Sequence, residues 1–166
     1  LVKYCAVKDR GGSIQVLVSG DLNGVPTVLS NDVLSAFKSY MNQVKVAGVI
    51  LDVKSLAADG IRIQAEIQID PQIITTDGVR ISDGTKAVED AINGYLANIV
   101  YGGTFNKTKL VDAIQNVEGV VDVTLGNVEV KPSGSTSYTE MTSNNYSAVS
   151  GCFQSDKLNE TIEYVV

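Results

Sequence analysis

The sequence predicts an α+β fold in which small mixed or antiparallel sheets pack against three amphipathic helices. Three observations carry that expectation. From Ile61 to Ile69 every odd position is apolar and every even one polar, the period of a strand with one covered face. Val88, Ala91, Ile92, Tyr95, Leu96 and Ile99 recur at helical spacing. Leu110, Ala113, Ile114 and Val117 do the same, and Gly119 then leads into the apolar run Val120-Val121-Asp122-Val123.

The elements follow in order. Ser13 to Ser19 alternates as a strand, entered from the Gly11-Gly12 turn and left through Gly20 to Pro26. Ser30 or Asn31 caps a helix whose face is Val33, Leu34, Phe37, Met41 and Val44, and Gly48 ends it. Val49 to Val53 reads as a second strand, and the Ala57 to Gly60 loop leads into the Ile61 to Ile69 strand, which Asp70-Pro71 stops. That strand's alternation calls for antiparallel partners. Asp83 is the expected N-cap of the next helix, whose Lys86, Glu89, Asp90 and Asn93 face solvent. Burial of its apolar stripe, at roughly 1.5 to 3 kcal/mol per large side chain, outweighs capping. Gly102-Gly103 ends this helix, and another begins near Asn106.

After Gly119, strands over Val120 to Leu125 and Val128 to Val130 flank a turn at Gly126-Asn127. Residues 132–147 are rich in Ser, Thr, Asn and Gly and read as a long polar loop. Phe153, Leu158, Ile162, Tyr164 and Val166 supply a closing strand. The expected organisation is a strand-helix-strand-strand unit over 1–70, a hinge over 71–82, and a helix-helix-strand unit over 83–166.

Composition narrows the function. At 166 residues, 44% hydrophobic and 19% charged, the chain is an ordinary globular one and buries roughly 70% of its unfolded surface. No apolar run approaches the roughly 20 residues of a membrane span. A net charge of -6 with scattered basic residues opposes binding to nucleic acid, which depends on Lys and Arg meeting phosphates. The start at Leu1 instead of Met points to a fragment or processed chain. Cys5 and Cys152 form no CxxC pair and read as separate thiols in preference to a disulfide joining the termini.

Chemistry is sparse. The absence of histidine removes Ser-His-Asp and Cys-His nucleophile systems and histidine zinc sites. Carboxylate pairs remain chemically competent. The candidates Asp52, Glu66, Asp70, Asp77, Asp112, Glu118 and Asp122 occur singly in strands and turns, as solvated side chains do. Asp77-Gly78 and Asp83-Gly84 lack calcium-loop spacing, and Gly11-Gly12 and Gly102-Gly103 lack the lysine of a phosphate loop. Neither cofactor nor metal is expected, nor catalysis. Aromatic side chains are the remaining candidates: Tyr138, Tyr146, Phe153 and Tyr164 gather near the C-terminus, the first two inside the polar loop, where exposed aromatics serve as contact anchors.

The runs Ala91-Ile92-Asn93-Gly94-Tyr95-Leu96, Gly102-Gly103, Leu110-Val111-Asp112-Ala113-Ile114 and Val117-Glu118-Gly119-Val120-Val121-Asp122-Val123 resemble the C-terminal part of the baseplate J-like proteins. These are wedge components of contractile phage tails and related injection machines. Gly12 to Val16, the Ile61 to Ile69 strand, and Tyr146, Gly151, Phe153 and Glu163-Tyr164 also fit that pattern, whereas the Pro132 to Ser147 loop stands outside it. The resemblance implies a mechanical role in a virion tail baseplate assembled in the host bacterial cytoplasm. Implied partners are other baseplate or tail subunits and copies of the chain itself. The alternative expectation is a carbohydrate-binding or adhesion module using the C-terminal aromatics.

Overall fold

The computed structural model describes residues 1–166. The first part of the chain runs β1 (Tyr4–Asp9), β2 (Ile14–Leu22), β3 (Val25–Thr27), α1 (Asn31–Val44) and β4 (Leu51–Lys54). β2 is central. It pairs antiparallel with β1, parallel with β4 and, from Gly20 onward, antiparallel with β3. Gln15 to Gly20 are all buried, so β2 is covered on both faces and is not the half-wet strand that its alternation suggests. α1 covers one face. The Ser30 hydroxyl accepts from Val33 N at its start, and Val33, Leu34 and Phe37 pack against Val16, Val18, Leu29 and Val53. The helix ends at Val44, before Gly48, whose positive φ of 88° turns the chain toward β4.

The second part contains β5 (Asp59–Ile69), α2 (Ala87–Asn98), β6 (Thr104–Asn106), α3 (Lys107–Gln115), β7 (Val120–Lys131), β8 (Thr139–Glu140), β9 (Asn145–Ser147), β10 (Phe153–Ser155), α4 (Leu158–Thr161) and β11 (Ile162–Val165). β5 organises it. One edge pairs antiparallel with β7, and the other pairs parallel with β10 and then β11. Ile61, Ile63, Ala65, Ile67 and Ile69 point to one side, where they meet Val88, Ile92 and Leu96 of α2 and Leu110 and Ile114 of α3. The α+β expectation holds, with a single-turn fourth helix added to the three amphipathic ones.

Several elements differ from the sequence reading, each for a local reason. The expected 1–70 unit includes β5, which makes no strand pairing with β1 to β4. Alternation reports that one face is covered and is silent about which elements cover it. Residues 71–82 are tied to the second part of the chain: Ile74 is 1% exposed and belongs to the larger core, and Ile81 N donates to Ile73 O within the segment at 2.9 Å. Asp83 does not cap α2. Its Oδ1 accepts from the Thr85 amide at 3.0 Å and hydroxyl at 2.7 Å, and Lys86 occupies the cap position without a side-chain bond.

The expected turn at Gly126-Asn127 is instead an irregularity within one long strand, with the register shifting between Ile63 and Ala65 of β5. A Cβ at Gly126 would lie 3.2 Å from Gln64 O, so glycine suits the close approach. The polar segment 132–147 contains β8 and β9, and anchors on Met141, 5% exposed. The single closing strand is two short ones separated by α4.

The two sheets meet on the face of β1 and β2 opposite α1. Ser19 Oγ lies 2.7 Å from Tyr101 OH, which donates to Ser150 O at 3.1 Å. Tyr4 and Tyr101 rings are 5.8 Å apart, and Gly102 sits so close to Ala6 that a Cβ there would fall 2.4 Å from the alanine methyl. Replacing core Ile114, which is fully buried, by Asp places an unpaired carboxyl among aliphatic side chains. Ile114→Asp should lower urea-unfolding stability by more than about 3 kcal/mol. A loss under about 1 kcal/mol would contradict this packing.

Candidate functional site

The most densely bonded polar side chain is one that sequence reasoning missed. Asp59 opens β5 and is fully buried. Its Oδ1 accepts from the amides of Ser133 and Ser150, both at 3.1 Å, and its Oδ2 from the Val149 amide at 2.8 Å and Tyr146 OH at 2.9 Å. Asp59 N is held by Ser150 Oγ at 3.1 Å and by Cys152 O at 3.0 Å. Lys8 of β1 donates to Ala148 O at 2.7 Å beside this cluster. Burial pushes the Lys8 ammonium below its ordinary value, Arg10 adds to that, and Asp59 opposes it. In the sequence Asp59-Gly60 reads as a turn. The only hint of its role was the serine-rich stretch Ser147 to Ser150 downstream.

The four aromatic candidates divide. Tyr146 and Phe153 come together, with ring centroids 6.1 Å apart, and Phe153 continues to Phe105 at 6.0 Å. Tyr146 OH is spent on Asp59, and burial, then Asp59, holds its phenol well above the usual range. Tyr138 lies elsewhere. Its ring takes the Arg62 guanidinium at 4.1 Å and Lys131 Nζ at 5.1 Å, while Arg62 bonds Asp156 at 2.8 Å. Burial first, then Asp156, pushes the Tyr138 phenol up to about 12. Tyr164 covers Gly78, where a Cβ would be 2.4 Å from its ring, and its hydroxyl is buried without a partner. Burial, then Glu89, pushes that phenol up to about 12. None of the four is exposed; each is half-buried and engaged within the chain.

The carboxylate candidates do not converge. Asp52 pairs with Lys54 at 2.9 Å, Asp70 caps the Gln72 amide at 2.8 Å, and Asp122 accepts from the adjacent Val123 amide. Glu66 stands opposite Glu163 of β11, a like-charge pair on the wet face of the sheet. No three His, Cys, Asp or Glu side chains gather as a metal site, and both thiols are free. Where the sheets meet there is a cleft of about 650 Å³, lined by Tyr4 and Tyr101 together with residues of β3, α2 and β10.

Fold and site therefore define a packed α+β module in which the polar side chains singled out serve mainly to hold the chain to itself. Residues 67–140 match the family described as the baseplate J-like protein C-terminal domain. Over those residues, from the end of β5 to β8 and somewhat less than half of the chain, it is similar to the baseplate J-like C-terminal domain. No curated protein matches the chain. No helix is long and apolar enough to cross a membrane.

Two outcomes test the site. Asp59→Ala strands the buried Ser150 amide and the part-buried amides of Ser133 and Val149 and should cost about 3 to 5 kcal/mol in urea unfolding, against about 1.5 to 3 for Tyr146→Phe. Equal and negligible losses would contradict the hub. At alkaline pH the folded phenols of Tyr138, Tyr146 and Tyr164 ionise above the ordinary value of 10.0 at which unfolded tyrosine does. From about pH 10 the unfolded chain thus binds fewer protons than the folded one, and stability falls as pH rises. Tyr146→Phe should make that decline shallower; an unchanged slope would contradict the assignment.

Proposed function

We propose that the chain is an assembly module of a phage-type tail baseplate wedge or a related contractile injection apparatus. It acts by protein contacts without a cofactor and without catalysis. The observation that supports this most is the family match over 67–140, because it falls on the elements that build the larger core. A sheet whose central strand is paired on both edges and clamped at its start is suited to passing on load without deforming. Contact surface is available outside the core: Val25, Val28, Ile81, Val100 and Val121 are all more than half exposed. A sugar-binding role would draw on Tyr138, Tyr146 and Phe153, whose rings or hydroxyls are already occupied internally.

Co-expression with the tail proteins of its source should recover the chain in a complex heavier than the chain alone, seen by size-exclusion chromatography with light scattering. The isolated chain should be a monomer. Turnover of a small molecule that is lost on replacing one carboxylate would overturn the reading.

A further inference from the structure

We propose that the cleft between the two sheets is a docking site for an extended, uncharged segment of a neighbouring tail protein, which would add as a strand beside β10. The inference rests on the assembly reading and goes on to say where a partner is held and what chemistry it must have. Its volume, about 650 Å³, lies in the range of sites that bury a ligand, and it sits where two packed units meet, a common place for one.

Charge selects the occupant. None of the 17 residues lining the cleft is a Lys, Arg, Asp or Glu, although the chain holds 13 basic and 19 acidic residues. A charged side chain entering there would lose water and find no counter-ion, so charged segments are rejected. The walls are apolar, with Val25 and Val28 on one side and Leu96 and Ala97 of α2 on the other. Val25 and Val28 are 61% and 51% exposed, an apolar rim that the fold itself leaves uncovered.

Backbone pairing selects the conformation. β10 is bonded only to β5, so it lines the cleft with one edge unpaired, whereas Pro26 at the centre of β3 has no N–H to offer a further strand. An extended segment can bond to such an edge while its side chains enter the apolar walls. The two tyrosine hydroxyls of the cleft are already engaged: Tyr4 OH by Asp21 and Gly24 O, Tyr101 OH by Ser19 and Ser150.

The two thiols make the test self-referenced. Cys152 lines the cleft, and Cys5 lies exposed on β1 outside it. Iodoacetamide labelling of the whole chain is followed with and without a capped peptide of alternating valine and threonine. At about fourfold its dissociation constant the peptide should slow Cys152 labelling about fivefold by mass action, leaving Cys5 unchanged. The same peptide with a central lysine should give no protection. Ala97→Lys, on an exposed helix position, should abolish protection while leaving the circular dichroism spectrum intact. Protection of both cysteines, of neither, or by the lysine peptide overturns the inference. Equal protection by a capped single valine overturns it too, since that marks a small-molecule pocket. If the chain enters a tail complex with Cys152 labelled at its free rate, the docking site is wrong while the assembly reading stands. If it enters no complex, the assembly reading fails.

Discussion

One buried carboxylate sets the terms for much of this molecule. Taking Asp59 out of water carries a large desolvation cost, which is offset only because three amides and a phenol converge on its two oxygens. Those donors come from residues 133 to 150, so a single side chain holds both ends of a segment that has few apolar residues of its own. The same residue begins β5, the strand on which the second sheet is built. Its neighbour Lys8 reaches Ala148 from the first sheet, so the joint between the sheets depends on the same segment being in place. Loss of the carboxylate would leave the amides without partners and unseat three parts of the fold together.

The two halves are unequal in a way that gives this joint its importance. The second sheet closes over a core of 17 buried residues, with β5 shielded by strands on both edges and by α2 and α3 on one face. The first has a cluster of four buried residues, and α1 contains none at all. A small sheet covered by a half-buried helix leans on what lies against its other face. That face carries Tyr4, Ala6 and Ser19, and it rests on Tyr101 and Gly102. The first sheet is therefore held by its seat on the Tyr101-Gly102 turn as well as by its own interior.

How much of this is legible in the sequence follows from where each signal resides. Helical stripes and the Ile61 to Ile69 alternation are local and periodic, so α1, α2, α3 and β5 can be read directly. Partnership is not local. Alternation in β5 cannot reveal that its edges are filled by strands from beyond residue 119, nor that the last two run parallel to it. β8 has only two residues, too few for a period, and β1 alternates in burial but not in residue type, since Tyr4-Cys5-Ala6-Val7 is apolar throughout. The aromatic candidates illustrate the same limit. A tyrosine in a polar loop looks exposed until a buried acid is placed beside its hydroxyl, as Asp59 is beside Tyr146. The similarity to the baseplate J-like C-terminal domain over 67–140 is legible because it is written in core spacings, which are local.

On the proposed assembly role the module must hold its outer surfaces in fixed relation, and here that relation depends on the Asp59 hub. Native-state hydrogen exchange at the amides of Ser133, Val149 and Ser150 measures it directly. If the hub holds the segment to the sheet, these three exchange only through opening as costly as that of the β5 core amides, and all three lose protection together in Asp59→Ala. Rapid exchange of the three in the wild-type chain, with β5 still protected, would contradict the account.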